Sequence, residues 1–305
     1  GIGRETALLL ASQGMKVLAL GRNEEALQSL QDLAPKGSLR WLAGDLNEAS
    51  YLDALELELT DVDVFLNNAG VLRYAPIMDL TAEDFSWMFQ TNVLASIEIT
   101  QRMARHMVTR RQGHLVFMTS IAAREVYRTA SAYCATKHAL SAMARSFRME
   151  LQEFGIKVSE VAPGMVDTDI RASSDHPVVI AAIQNRKFAP LSPAEVASAV
   201  LFALQSPPNL CPDLIELRID PARIVCGTGS DELLNLAAQG YAAIQVVLAA
   251  MKKAKSTSSA DIQTALSKIG TVETVLGGFG YDSNHEPTYA AAVQVVQGGT
   301  FSLVS

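Results

Sequence analysis

The stretch HLVFMTSIAAREVYRTASAYCATK, residues 114–137, decides the fold. It begins with an apolar run, residues 114–118, that is typical of a buried β-strand, and Ser120 follows at the end of that run. Open α/β sheets place their sites at the carboxyl ends of their strands. Tyr133 and Lys137 then begin a helix-patterned segment, and their spacing of four puts both side chains on one helix face. The stretch therefore predicts a strand and a helix with a polar site between them.

Similar units repeat up to about residue 219. Short apolar or β-branched runs alternate with longer segments whose apolar residues recur at i, i+3 and i+4, which predicts βαβ units and an α/β fold with a doubly wound parallel sheet. The predicted strands are 16–20, 62–66, 114–118, 157–161 and 214–219. The predicted helices are 5–13, 23–32, 82–110, 131–154 and 193–204. The less regular region 168–190 is interpreted either as a lid over a site or as a plain surface loop.

The composition favours a folded protein with a small-molecule partner. Apolar residues make up 49% of the 305 residues and charged residues 19%, which excludes a disordered chain and a disulfide-held mini-protein. There are 25 basic and 32 acidic residues, and the net charge of -7 disfavours a broad cationic surface. We therefore expect no nucleic-acid partner.

Cysteine and histidine usage favours the cytoplasm and argues against metal. Cys134, Cys211 and Cys226 are odd in number and widely spaced, which is typical of reduced cytosolic thiols. The five histidines lack the spacing of metal ligands, so no metal is predicted. No run of 18 or more uncharged apolar residues and no export-signal pattern is present, so we expect no membrane span and a cytoplasmic protein.

The Tyr133 and Lys137 pair has the chemistry of a general acid–base site. A phenol has a pKa near 10, and a neighbouring ammonium favours the phenolate. Such a pair also arises by chance, so its context decides: Ser120 lies thirteen residues earlier, and Asn92 lies within the predicted helix 82–110. The competing interpretation is a helix N-terminal serine, a buried tyrosine and a surface lysine. For Asn92, a helix-bending or hydrogen-bonding role competes.

Two further segments complete a family pattern. Asn67-Asn68-Ala69-Gly70 follows one predicted strand, and Pro163-Gly164-Met165-Val166-Asp167-Thr168 follows another. Together with Ser120 and the Tyr133 and Lys137 pair, these features in this order resemble the short-chain dehydrogenase/reductase family over about residues 1–219. The resemblance implies a Rossmann-type oxidoreductase that transfers a hydride between a nicotinamide cofactor and a small carbonyl or hydroxy compound. The segment 187–195 and the strand after it resemble the branch that acts on small hydroxy acids and aldehydes.

The resemblance also implies the catalytic roles of four residues. Tyr133 would exchange a proton with the substrate oxygen, and Lys137 would hold the nicotinamide ribose and lower the pKa of Tyr133. Ser120 would hydrogen-bond the developing alkoxide, and Asn92 would hold a proton-relay water.

A larger set of residues would contact the cofactor. The position after the strand 16–20 carries Arg22 rather than an acidic residue, and arginine suits a 2'-phosphate, so NADP is favoured over NAD. Arg22 could equally be a solvated turn residue. The cofactor contacts implied by the resemblance are Gly1, Ile2, Gly3, Arg22, Asp45, Leu46, Asn67, Ala69, Gly70, Tyr133, Lys137, Pro163, Gly164 and Thr168.

The chain departs from the family pattern at its start. Only the last two glycines of the phosphate turn are present, Gly1 and Gly3, so we expect the sheet to lack its first, central strand. An alternative function follows: a non-catalytic chimeric chain with an incomplete cofactor site. The resemblance further implies a homo-oligomer, with which an unpaired tail, residues 220–305, would interfere.

The last 86 residues differ in composition from residues 1–219. No arginine follows Arg223. Residues 220–241 resemble a short piece of histidinol-phosphate aminotransferase, without the context of a Schiff-base lysine. Residues 242–305, with predicted helices 243–255 and 260–269 and a strand pair 290–296 and 300–304, resemble the end of branched-chain amino-acid periplasmic binding proteins. We therefore expect a chimeric chain with an α+β tail, and a remnant amino-acid-binding module is the weaker alternative.

Overall fold

The computed structural model describes residues 1–186 and 188–219, together with Lys253, Asp261, Thr264, Ala265 and five strands between residues 272 and 303. The chain divides into two compact units, Gly1–Asp220 and Pro221–Ser305. The first unit alternates helices with parallel strands, which confirms the predicted α/β class.

The first unit has eight α-helices and six strands in its described residues. In chain order they are α1 (Ile2–Ser12), β1 (Val17–Gly21), α2 (Glu24–Leu33), β2 (Leu39–Ala43), α3 (Ala49–Glu56), β3 (Val64–Asn67), α4 (Ala82–Phe89), α5 (Ser96–Arg110), β4 (Gly113–Met118), α6 (Ser131–Leu151), β5 (Ile156–Pro163), α7 (Pro177–Gln184), α8 (Pro193–Leu204) and β6 (Leu214–Leu217). The single helix predicted over 82–110 is instead α4, a π-helix at Gln90–Ala95, and α5. The elements β2, α3 and α7 were not predicted from the sequence.

Local sequence fixes where several helices begin. Ser192 and Glu195 form a capping box before α8, and Pro193 occupies its first turn. Thr81 and Asp84 form the same box before α4, and the Asn23 side chain accepts a hydrogen bond from the backbone at the start of α2. These caps satisfy backbone N–H groups that a helix leaves unpaired.

The parallel strands form two sheets. One has the order β3-β4-β5-β6, and the other pairs β1 with β2. Among the described residues no strand pairs with β1 on its other side or with β3 on its other side. The residues of β1 and β3 are mostly half-buried, whereas β4 and β5 are almost wholly buried. This break is what a sheet without its central strand predicts.

Side chains of β4 alternate between two cores. Leu115 and Phe117 pack with residues of α3, α5 and α6, whereas Val116 and Met118 pack with residues of α8. The sheet is therefore covered by helices on both faces, as expected for a doubly wound fold. Because β3, β4 and β5 run parallel, their carboxyl ends meet at one edge.

The second unit is described mainly by its strands. A three-stranded antiparallel sheet contains β7 (Val272–Thr274), β8 (Gly277–Tyr281) and β9 (Pro287–Tyr289). The predicted strand pair is confirmed as β10 (Gln294–Gln297) and β11 (Thr300–Leu303), which are antiparallel. The predicted helix 260–269 is helical at its described residues, and of 243–255 only Lys253 is described. Residues 220–241 lie outside the described residues, so the assignments of 220–241 and 242–305 stay predictions.

No helix in the described part of the chain combines the length and the apolar character needed to cross a membrane.

Candidate active site

Tyr133 lies in the first turn of α6 and is buried. Its ring packs edge-on against Tyr74, with ring centroids 5.8 Å apart. Burial raises the pKa of Tyr133 and the neighbouring Tyr74 adds to this, whereas the hydrogen bond with Ser120 opposes it. The phenol therefore carries its proton at neutral pH, which is the state that a proton donor requires.

Ser120 follows β4 and joins the ends of two strands. Its hydroxyl donates to the carbonyl oxygen of Pro163 at 3.2 Å and accepts from the backbone N–H of Ala122 at 3.1 Å. Pro163 is the last residue of β5, so the serine is fixed at the carboxyl edge of the sheet. Ser120 thus lies close enough to Tyr133 to lower the pKa of that phenol, and the catalytic roles of both residues stay predictions.

Lys137 lies one turn after Tyr133 and is only 4% exposed. Its ammonium donates to the carbonyl oxygen of Met118 at 3.0 Å and lies 5.7 Å from the centroid of the Tyr133 ring. Burial lowers the pKa of Lys137 to about 8, and the negative charge of Glu160 opposes this. A Cβ atom at Gly70 would lie 3.3 Å from Oδ1 of Asn92 and 3.8 Å from Nζ of Lys137, so the chain after β3 passes close to both side chains.

Asn92 lies in the π-helix Gln90–Ala95 and is fully buried. Its side-chain oxygen accepts from Val71 N at 2.7 Å, and its amide nitrogen donates to Val71 O at 2.8 Å and to Thr136 Oγ1 at 3.1 Å. The helix deviates from α geometry at this residue, as π-turns do at functional sites. Asn92 therefore ties the chain after β3 to α6, and its role in holding a relay water stays a prediction.

The N-terminus of α1 meets the loops that follow β3 and β5. A Cβ atom at Gly3 would lie 2.7 Å from Nδ2 of Asn68, and one at Gly1 would lie 3.8 Å from Cγ2 of Thr168. Only glycine at position 3 allows this approach without a shift. The free N–H groups at a helix N-terminus attract phosphate, so the residues present fit a pyrophosphate group.

Arg22 and Asp45 lie together after the neighbouring strands β1 and β2. Nη1 of Arg22 is 3.9 Å from Oδ2 of Asp45, and the arginine side chain is 65% exposed. Such a surface pair is weak, so Arg22 stays available to an added anion. Leu46 packs partly against the core beside α3, and the Ala69 residue is exposed.

The side chain of Asn67 is directed toward α5. Its buried amide donates to Ser96 O at 3.1 Å and to Thr100 Oγ1 at 3.0 Å, both in α5. Asn67 therefore anchors a helix, and its predicted cofactor contact stays a prediction. Gly164 donates its backbone N–H to Leu217 O at 2.8 Å, which holds the chain after β5 against β6.

The region 168–190 is more ordered than a plain loop. It contains a short 3-10 helix, Asp169–Arg171, and α7. Ser174 Oγ accepts from the backbone N–H of Tyr74 at 2.9 Å, and Asp175 pairs with Arg73 at 3.1 Å. The region is thus fastened to the chain beside Tyr133, and its interpretation as a lid over a site stays a prediction.

Sequence reasoning missed Arg171 and Glu160. The positive charge of Arg171 lowers the pKa of both Tyr74 and Tyr133, and its Nε is buried without a hydrogen-bond partner among the described residues. Glu160 is a buried carboxylate on β5. Both residues act through neighbours distant in sequence, so no local pattern marks them. Within the described residues no cluster of His, Cys, Asp and Glu side chains could hold a metal ion.

Comparison with known proteins identifies the family. The short chain dehydrogenase model matches residues 1–178. An uncharacterized oxidoreductase of Staphylococcus aureus (strain MW2) is 30% identical over 222 residues, which cover 72% of this chain and 92% of the relative. Serine dehydrogenase from Escherichia coli is similar in structure, with a TM-score of 0.61, 25% identity and coverage of 71% of this chain and 92% of that one.

A closed form of serine dehydrogenase complexed with NADP+ has a TM-score of 0.65 and 26% identity, and it covers 71% of this chain and 90% of its own. The family match spans more than half of the chain, and the relatives are matched over nine-tenths of their length. The chain therefore belongs to the short-chain dehydrogenase family.

Proposed function

We propose that the protein is an NADP-dependent oxidoreductase that transfers a hydride between nicotinamide and a small carbonyl or hydroxy compound. The observation that carries this proposal is the burial of Tyr133, Ser120 and Lys137 beside the carboxyl ends of β4 and β5, with the Lys137 ammonium 5.7 Å from the centroid of the Tyr133 ring. Hydride exchange is the chemistry that the nicotinamide supplies when bound. The family and the NADP+ complex of a structural relative support a nicotinamide cofactor.

Tyr133 is the proton donor of this proposal. Its phenol gives a proton to the carbonyl oxygen during reduction and takes one from the hydroxyl during oxidation. Proton loss leaves a phenolate, which the ammonium of Lys137 and the hydroxyl of Ser120 stabilise. All three side chains are buried, so their electrostatic interactions are weakly screened by water.

The cofactor would be held by residues at the carboxyl edge of the sheet. Gly1, Ile2 and Gly3 offer the helix N-terminus to the pyrophosphate, and Lys137 would bind the ribose. Arg22 supports NADP over NAD. It lies directly after β1, and its exposed guanidinium pairs only weakly with Asp45, so it is available to the 2'-phosphate.

Arg171 supports a substrate that carries a carboxylate. Its charge reaches both phenols of the site, and no carboxylate pairs with it among the described residues. Nη1 of Arg171 donates to Val166 O at 3.0 Å, and the remaining N–H groups of the guanidinium suit an acid group. We therefore assign small hydroxy acids or the matching carbonyl acids as the substrate class, alongside uncharged aldehydes of similar size.

A thermal-shift titration of the full chain with NADPH and NADH tests the cofactor, and NADPH oxidation with carbonyl acids and uncharged aldehydes tests the substrate. We expect the larger stabilisation with NADPH and the higher kcat/KM with the acids. Stabilisation by NADH alone, or none by either, would contradict the cofactor assignment.

A second candidate function is a chain that keeps the site residues without turnover. Among the described residues β1 and β3 each pair with a strand on one side only, and this break in the sheet favours it. Cofactor binding without any NADPH oxidation across the substrate panel would select this candidate.

A further inference from the structure

Glu160 is the only buried carboxylate in the part of the chain that the structure describes. It lies on β5, is 1% exposed and faces α6. Burying a carboxylate costs several kcal/mol unless charge and hydrogen bonds compensate it. Hydrogen bonds and opposite charges must therefore compensate the buried Glu160 carboxylate, and its partners indicate its role.

The partners of Glu160 are side chains close in sequence to the site residues. Its Oε1 accepts from Thr119 Oγ1 at 2.8 Å and from Arg124 Nη2 at 2.8 Å, and its Oε2 accepts from Ser141 Oγ at 3.0 Å. Thr119 directly precedes Ser120, and Ser141 lies one turn of α6 after Lys137. One carboxylate therefore fastens the end of β4 to the helix that carries Tyr133 and Lys137.

The charges around Glu160 are few and can be named. Lys137 on α6 and Arg124 in the chain after β4 carry the positive charges that interact with it. Oε2 of Glu216 on β6 lies 3.8 Å from Nε of Arg124. Lys137 also faces Tyr133, on its own helix. The charged and titratable groups that interact in turn with Tyr133 are Tyr74, Cys134 and Arg171.

We propose that Glu160 is a positioning residue of the proton-transfer site. Its carboxylate holds Ser120 and Lys137 in place through their neighbours and supplies the buried negative charge that keeps the Lys137 ammonium protonated. Without that charge, burial alone acts on the lysine, and the cation beside Tyr133 is lost at a lower pH. This role rests on the proposed function, in which Lys137 acts as a cation.

The matched variants are Glu160→Gln, which keeps the size and removes the charge, and Glu216→Gln, which removes the outer carboxylate of the same group. The titration of the Lys137 ammonium is followed by NMR on the full chain with labelled lysine, and the signal is assigned with Lys137→Met. Burial and Glu160 together give wild-type Lys137 a pKa of about 8. We expect Glu160→Gln to lower that midpoint by about one pH unit and Glu216→Gln to change it by less than about 0.3 unit.

A second variant, for which the opposite shift of the Lys137 midpoint is expected, keeps the proposal testable if Glu160→Gln does not fold. Arg124 pairs with Glu160 Oε1 at 2.8 Å, so Arg124→Gln removes the positive charge beside that carboxylate, at a cost in stability that urea unfolding measures. We expect it to raise the midpoint of Lys137. A midpoint that stays unchanged in both Glu160→Gln and Arg124→Gln would overturn the proposal.

Turnover adds a second measurement. If Lys137 must be protonated, the alkaline limb of the pH profile for carbonyl reduction moves to lower pH in Glu160→Gln by the same shift as the NMR midpoint. Absence of turnover in the wild-type protein would contradict the proposed function. The NMR titration would still test the role of Glu160, because it does not depend on turnover. A shifted midpoint with an unshifted alkaline limb would refute the link between this charge and catalysis.

Discussion

Replacing Asn92 by alanine tests whether this residue fastens the site together. The variant removes three hydrogen bonds, to Val71 N at 2.7 Å, Val71 O at 2.8 Å and Thr136 Oγ1 at 3.1 Å. Each buried hydrogen bond contributes about 1 kcal/mol net, so we expect the free energy of unfolding to fall by about 3 kcal/mol. Thr136 lies between Tyr133 and Lys137, so the loss also loosens the helix that carries both.

The assay is urea unfolding followed by tryptophan fluorescence. The two tryptophans, Trp41 and Trp87, both lie in the first unit, so the signal reports on that unit alone. Asn185→Ala is the matched control, because its exposed amide makes one hydrogen bond, to Ala181 O at 2.9 Å. We expect no measurable loss there. An Asn92→Ala variant that loses less than about 1 kcal/mol would refute the reasoning, since water would then replace these bonds.

Two further variants test a buried histidine and the cofactor preference. Burial, with a contribution from Lys157, lowers the pKa of His114 from 6.5 to about 4. The unfolded state therefore binds the proton more readily, and about 3 kcal/mol of stability is lost as the pH falls from about 6.5 to 4. Urea unfolding as a function of pH measures this loss, and a His114→Gln variant with the same pH slope would contradict it. For Arg22→Ala we expect the Kd of NADPH to rise at least about tenfold and the Kd of NADH to change little. Isothermal titration measures both constants, and the surface variant Arg40→Ala is the control. An equal change for both cofactors would rule out Arg22 as the 2'-phosphate contact.

The sequence predicted long periodic elements and the residues at strand ends. The strand before Ser120 and the helix that contains Tyr133 and Lys137 were recognisable because their apolar periodicity extends over many residues. The strand β2 was missed although β1 has the same length, because Arg40 interrupts its apolar run, and α3 and α7 were missed because each has only eight residues, about two helical turns. The division of the helix 82–110 depends on the backbone hydrogen bonds of the π-helix, which no pattern of side chains reveals.

The environment of the site residues depends on contacts between distant parts of the chain. Lys137 was expected to lower the pKa of Tyr133, but burial raises it, and burial depends on packing against Tyr74. In the sequence Glu160 is simply a polar residue within a strand, since its partners lie 19 to 41 residues away. Asn67 was expected to contact cofactor, and only the structure shows its amide bonded to α5.

The central claim is that Tyr133 transfers the proton while the cofactor site is intact. The direct measurement compares NADPH oxidation and the NADPH Kd of Tyr133→Phe with those of the wild-type protein, and Tyr127→Phe serves as the control because that phenol bonds to Glu125. We predict an NADPH Kd within about twofold of wild type and a kcat lower by about 10² to 10⁴ in Tyr133→Phe, with kcat unchanged in Tyr127→Phe. An unchanged kcat in Tyr133→Phe would contradict the account.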